Sequence, residues 1–503
     1  MRFVVGRRRN PKGKKERMAT HAATTANAPT GSQPKKQGKF FFGWFVVAAG
    51  FIIMATCYTV FINCMSLFQA LIVSDLGISM SEFNLSNTIS SVASVVGALF
   101  VGAFVDRFPG RVLGGIGVIV TAAVLTCLSF VTAAWQLYVL FAIVGVVALA
   151  GVRLLISIIV TNWFTLKRGL AVAIALAGSG FGGAILSPVA SNFIVGYGWR
   201  PALLLLALVV LIAALPITLF SFYSHPSDKG LEPYGAGQVE QHKKADKSPD
   251  KIVNVAIGWN AVKKSPSFWL LVIGFVAMGM INGAVLPNQV TNMTQVTLGG
   301  EQIITGGHDR LWAGNVMSIY MVTVIIAKIS LGAIYDRWGL NAGNILGTVA
   351  CMVASVALCF PATDWGPIVA GIAFGIGTCM GTVAPPICTV KQYGMVDLGK
   401  ITGIMTAIEM LSYAAATALS GAIFDVYHSF APMWMILFVC SIVMGVTLVA
   451  SRQTAKGLVR KCEAAGAARV DANGKAVLDE VIEEAEALEA EGMSKEKRVE
   501  IGK

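Results

Sequence analysis

Three charged residues stand inside stretches of sequence that otherwise carry almost none. Lys328 lies in the apolar run VTVIIAKISLGAIYDRWG, eight residues before the next charge, Asp336. Arg153 lies ten residues before Trp163, and Glu409 is the only acid of GIMTAIEMLSYAAATALSG. Charge held far from water is costly, so each of the three is a candidate for binding or moving an ion. The two cations suit a carboxylate. An arginine grips one through two parallel hydrogen bonds and keeps its proton, whereas a lysine is a point charge that depends more on its surroundings. Lys328 is therefore expected to need a bound anion or Glu409 nearby to stay charged, and anion binding can then be linked to proton movement through Glu409. The alternative is structural, with Glu409 neutralising Lys328 or Arg153 in a fixed pair. Two cations against one acid leave one positive charge, which a monoanion would balance. With Arg153 as a second cation, dicarboxylates stay open. Tyr413, and with it Ser412, follows Glu409 by one helical turn and is expected on the same face.

These charges need elements that carry them through an apolar medium. Of 503 residues, 55% are hydrophobic and only 13% charged, with a mean hydropathy of +0.70. A soluble chain would have about 25% charged residues. The apolar residues fall into twelve blocks, near 41–72, 84–105, 111–133, 136–161, 168–195, 201–222, 268–296, 312–334, 342–361, 366–390, 400–424 and 430–451. Blocks of about 20 residues match a bilayer crossed by helices. The fold class expected is an all-α membrane protein with twelve transmembrane helices, a monomer in the lipid bilayer.

Lys and Arg concentrate on alternate connections. They fill the first 39 residues, the link at Arg107 and Arg111, the link at Lys167 and Arg168, and the loop carrying Lys229, Lys243, Lys244, Lys247, Lys251, Lys263 and Lys264. The other connections hold Asp75, Glu82 and Asp364, with Arg200 and Arg310 as exceptions. By the positive-inside rule both termini and the central loop are expected on the cytoplasmic side of a cell (plasma or inner) membrane. The division expected is a basic tail 1–39, a first six-helix half 40–222, a cytoplasmic loop 223–266, a second half 267–452 and a charged tail 453–503. Met18 is a second candidate start. The net charge of +12 is thus mainly a topology signal. No interleaving of basic and aromatic residues supports a nucleic-acid partner. Eight of nine cysteines lie in apolar blocks and none has metal-ligand spacing. No metal, cofactor or catalytic constellation is expected, and the soluble segments are too short for a catalytic domain.

A shift of 230 residues aligns the two halves. It lays Gly102, Asp106 and Arg107 on Gly332, Asp336 and Arg337, and Gly145 and Gly151 on Gly375 and Gly381. Parallel repeats joined by a polar loop are an architecture of secondary transporters, with substrate held between the halves and access alternating between the two faces. The same shift sets Ala98 against Lys328, Val383 against Arg153 and Ser179 against Glu409. The charges therefore lie outside the shared scaffold, as expected of a ligand site.

The segment GAFVDRFPGR, Gly102 to Arg111, resembles the G-x-x-x-D-R-x-G-R-type loop of the major facilitator superfamily, with Pro109 displacing its last glycine by one. GAIYDRWG repeats it in the second half. The run NWFTLKRGLAVAIALAGSGFGGAILSPV and the later YGWRPALL resemble the monocarboxylate and oxalate:formate branch, through Trp163, Phe164, Arg168, Gly169, Gly178, Gly180, Pro188, Trp199 and Arg200. The resemblance implies the major facilitator fold and a gating motif of Gly102, Asp106, Arg107, Arg111, Gly332, Asp336 and Arg337. In that motif the glycines would pack closely and the carboxylates would pair with neighbouring helices. Lys328 stands where the branch places an arginine that meets the substrate carboxylate. Tyr58 stands where it has a cavity tyrosine. Asn63, Asn282 and Gln289 lie on helices one and seven, which border the cavity in this fold. Oxalate carriers of the branch place a second cation on helix eleven, where this chain has Glu409. The function implied is secondary active transport of small organic anions, monocarboxylates first, by proton symport or anion exchange. Dicarboxylate exchange, export of apolar or zwitterionic compounds, and a membrane sensor with a degenerate carrier fold remain as alternatives.

Overall fold

The computed structural model describes residues 41–164, 168–235, 253, 255–298, 300–394 and 396–464, leaving out the side chains of 99, 101–106, 149, 150, 168 and 169. The expected tail 1–39, most of the central loop and residues 465–503 lie outside the described residues, as do the side chain of Asp106 and the surroundings of Gly102. Every helix considered below lies in the one compact unit that begins at Gly43.

Twelve long helices follow the twelve apolar blocks. They are α1 Gly43–Leu76, α2 Met80–Arg107, α3 Gly110–Ser129, α4 Ala134–Trp163, α5 Arg168–Tyr197, α6 Trp199–Ser221, α7 Pro266–Met293, α8 Arg310–Trp338, α9 Leu340–Ala357, α10 Trp365–Tyr393, α11 Leu398–Tyr427 and α12 Ala431–Ala464. Among the described residues eleven are long and apolar enough to cross a membrane. Helix α2, with 28 residues, spans about 42 Å at 1.5 Å per residue and is long enough as well. The 230-residue register recurs in the helix starts: it carries Met80 onto Arg310, Gly110 onto Leu340 and Arg168 onto Leu398.

Local sequence explains the boundaries. Gly77 closes α1 in the left-handed region, φ 63°, which glycine adopts at no steric cost. Ser79 and Glu82 then form a capping box, each side chain accepting from the other residue's backbone N–H at 3.1 and 2.8 Å. Asp309 caps α8 by accepting from the backbone N–H of Trp312 at 2.6 Å. Two features depart from the sequence expectation. Helix α12 runs on to Ala464, so the boundary expected at 452 falls inside a helix. Between α7 and α8 a hairpin, β1 Gln295–Leu298 and β2 Glu301–Ile304, pairs antiparallel, adding a small sheet to an otherwise helical chain.

Glycines set how closely the helices approach. On α5, a Cβ at Gly178 or Gly182 would run into the carbonyls of Phe51 and Ala55 on α1. On α7, a Cβ at Gly279 or Gly283 would meet the carbonyls of Glu409 and Tyr413 on α11. Both are small-xxx-small contacts, made by repeat-related helix pairs with the glycines on opposite members. The aligned glycines Gly145 and Gly375 do matching work, seating α4 on α2 and α10 on α8.

Candidate functional site

A cavity lies between the two six-helix halves. All three intramembrane charges line it, Arg153 from α4, Lys328 from α8 and Glu409 from α11. Tyr58 and Asn63 of α1, Asn282 of α7 and Tyr413 of α11 join them. Helical spacing carries these positions to one place. On α8, Tyr320, Met321, Val324 and Lys328 follow one face, as do Thr406, Glu409, Met410 and Tyr413 on α11. The volume is about 140 Å³, against about 10–15 Å³ for one water, so a small organic molecule fits.

Three of the contributing helices are irregular at this level. Helix α1 widens into π-helical turns over Met54–Tyr58 and Val60–Cys64, which bear Tyr58 and Asn63. Helix α4 does so over Gly145–Val152, directly before Arg153. Helix α10 breaks at Cys379, between Thr378 and Met380. Such interruptions redirect side chains and recur at functional sites.

Glu409 is held within the second half. Asn282 donates to its carboxylate at 3.3 Å and accepts from Thr378 at 2.9 Å, linking α11, α7 and α10. Gly381 leaves room for this pair, since a Cβ there would strike both Glu409 and Asn282. Asn63 donates to the carbonyl of Ser179 at 3.4 Å, beside Thr59, which donates to it at 2.8 Å. Arg153 lies within electrostatic range of both Lys328 and Glu409. Yet among the described residues neither cation has a salt bridge or hydrogen-bond partner. The fixed structural pair left open by the sequence is not formed here.

Two expected positions fall elsewhere. Ser412 turns toward α7, where a Cβ on Gly279 would meet it at 2.8 Å, because the helical angle to Glu409 lets only Tyr413 reach the cavity. Gln289 is buried outside the lining. Sequence reasoning also passed over the hydroxyls of Ser91, Ser94, Ser179, Tyr320, Thr378, Thr382 and Thr406. The repeat offered a signal for one of them, since Ser179 is the counterpart of Glu409.

The gate positions are only partly paired. Asp336 approaches Lys391 of α10 at 3.7 Å, and Lys391 also donates to the carbonyl of Tyr335 at 2.9 Å. Arg111 donates to Tyr223 Oη at 3.3 Å and stacks over its ring at 4.1 Å. Arg107 and Arg337 are exposed. Gly332 does not pack as the motif implies: a Cβ there would meet nothing within 4 Å. Arg200, an exception to the charge rule, pairs with Asp75 at 2.8 Å and donates to the carbonyl of Ser129 at 2.8 Å.

The profile of the Major Facilitator Superfamily matches residues 48–395. Riboflavin transporter RibJ of Trypanosoma brucei brucei is 30% identical over 183 residues, 35% of this chain, and the chain spans only about a third, 33%, of that relative's length. Monocarboxylate transporter 12 of Homo sapiens is 24% identical over 84% of this chain and 82% of its own. Among solved structures, the nucleoside transporter NupG superposes with a TM-score of 0.59 at 12% identity, over 82% of this chain and 99% of its own, a likeness of fold. Duplicated six-helix halves, a charged cavity between them and the matching profile agree that this chain belongs to the Major Facilitator Superfamily.

Proposed function

We propose that the chain carries small organic anions, monocarboxylates first, through the cavity between its halves. The observation that carries this reading is the uncommitted charge: among the described residues Lys328 and Arg153 line the cavity without a salt-bridge or hydrogen-bond partner, while the acid in the lining, Glu409, is engaged by Asn282. An unpaired cation in a membrane interior is costly, and one bound carboxylate would balance the excess of one positive charge. Alignment with monocarboxylate transporter 12 along most of both chains supports the same class. The hydroxyls of Ser94, Tyr320 and Thr406 on the wall can donate to a carboxylate or to a hydroxyl of the cargo. In this reading Lys328, Arg153, Tyr58, Asn63 and Tyr413 hold substrate, Asn282 orients Glu409, and Glu409 takes the coupling proton. A dicarboxylate is the second reading, favoured because neither cation is spent on Glu409.

The test is counterflow in proteoliposomes against a panel of mono- and dicarboxylates at two pH values. Accelerated entry of labelled monocarboxylate into liposomes preloaded with the same anion is expected. Movement of no carboxylate, in a preparation that is folded and inserted, would remove the anion reading. Movement of dicarboxylates alone would select the second.

A further inference from the structure

The two ends of the cavity are built differently. At the hairpin end, five fully buried polar side chains from both halves interlock: Gln69, Asn84, Asn288, Thr291 and Ser420. Gln69 Nε2 donates to Asn84 Oδ1 at 2.9 Å and to Asn288 Oδ1 at 3.0 Å. Asn84 and Asn288 both donate to Ser420 Oγ, at 3.3 and 2.8 Å, and Thr291 donates to Gln69 Oε1 at 3.1 Å. Just beyond, the Asp425 carboxylate of α11 accepts from the backbone N–H groups of Met80 and Ser81, both at 2.9 Å. An anion from one half thus sits on the positive N-terminus of α2 in the other. Ser74 binds both backbone groups of Thr297 in the hairpin, at 3.2 and 3.0 Å.

At the opposite end, which carries both gate motifs, nothing comparable is seen among the described residues. Among the described residues the hydrogen bonds joining the halves lie on the hairpin side, and Gly332, Gly399 and Gly403 face open space. We infer that the amide cluster is a seal closing the transport path at the hairpin face, and that Asp425 is its releasable latch onto α2. The chemistry suits a seal that must open repeatedly. Buried amides and hydroxyls satisfy one another when it is shut, and each can exchange its partner for water when the halves part. A purely apolar seal would expose apolar surface at that step. Asp425 differs from the rest in holding backbone groups through a charge, so its removal weakens closure without emptying the buried cluster.

The experiment reads exposure of the cavity to each face and needs no knowledge of the cargo, so it stands apart from the anion reading. Thr382→Cys places a reporter thiol on the cavity wall. A membrane-impermeant maleimide is added to one face of oriented vesicles at a time, with labelling of the parent chain subtracted. The reporter should react from the gate-motif face and barely from the hairpin face. Asp425→Ala should raise hairpin-face labelling at least about tenfold, because the population ratio loses the two charge-assisted hydrogen bonds to Met80 and Ser81. Asp425→Glu should restore part of the protection. Gln69→Leu, read in the same way, provides a second variant if Asp425→Ala does not fold. Unchanged hairpin-face labelling in folded variants would overturn the proposal, and so would an equal rise from both faces, which would indicate general loosening.

Discussion

Lys328 is the residue on which the anion reading most depends. It is a point charge on a flexible stem with no salt-bridge or hydrogen-bond partner among the described residues, so its contribution to a bound carboxylate is direct. Lys328→Ala should raise the KM for the anion by one to two orders of magnitude, from the loss of roughly 1.5–3 kcal/mol of charge-assisted hydrogen bonding. Lys328→Arg should retain binding. Full uptake by the alanine variant at low anion concentration would exclude the clamp. Glu409→Gln separates binding from coupling, because the amide still accepts from Asn282 but takes no proton. Anion exchange should persist while a pH gradient ceases to drive net uptake, and uptake still driven by that gradient would remove Glu409 from the coupling role. The charges were legible in the sequence because a charged residue in an apolar block has few structural explanations. The wall hydroxyls were not, since Ser and Thr inside helices commonly bond back to their own carbonyls, as Ser91 does to Asn87 and Thr382 to Cys379. Gln69, Asn84 and Asn288 were hidden for a similar reason: one amide reads as incidental until its partners on three other helices are known.

At the scale of elements, the apolar blocks and the 230-residue repeat foretold the helices and their order, because both depend only on where polar residues are absent. The π-helical turns of α1 and α4 were not foretold. Neither stretch contains proline, and widened turns leave no compositional mark. The glycines were legible as close contacts in general but not as to partner or state. This yields a contrast between two substitutions. Gly283→Val places a branched side chain against the carbonyl of Tyr413 on α11 and should destabilise by about 1–3 kcal/mol, read as a lower melting temperature in detergent. Gly332→Val meets open space here, so melting should change little while transport slows, if the gate motif packs closely when this end shuts. An equal loss of melting temperature for both would show that Gly332 is a packing site in the present conformation. Unimpaired transport by Gly332→Val would show that it is not part of the gate.

At the scale of the whole molecule, the helix ends divide the charges between two faces. The gate-motif face carries Arg107, Arg111, Lys263, Lys264, Arg337 and Lys400, and the hairpin face carries Asp75, Glu82, Glu301 and Asp364. The two cations on the hairpin face are both engaged. Arg200 is matched by Asp75, and Arg310 reaches from α8 to the carbonyl of Leu67 on α1 at 3.4 Å. They therefore act as ties between helices and weaken the charge asymmetry less than a raw count suggests. By the positive-inside rule the gate-motif face is expected to be the cytoplasmic one. Two exposed positions test this: Glu301→Cys in the hairpin and Lys264→Cys before α7. An impermeant maleimide applied to intact cells should label the first, and the second should react only after permeabilisation. The reverse pattern would invert the orientation, and the seal formed by Gln69, Asn84 and Asn288 would then close the path toward the cytoplasm instead of away from it. Equal labelling of both positions in intact cells would mean that the asymmetry is too weak to select one orientation, although each basic group held back from translocation adds to it.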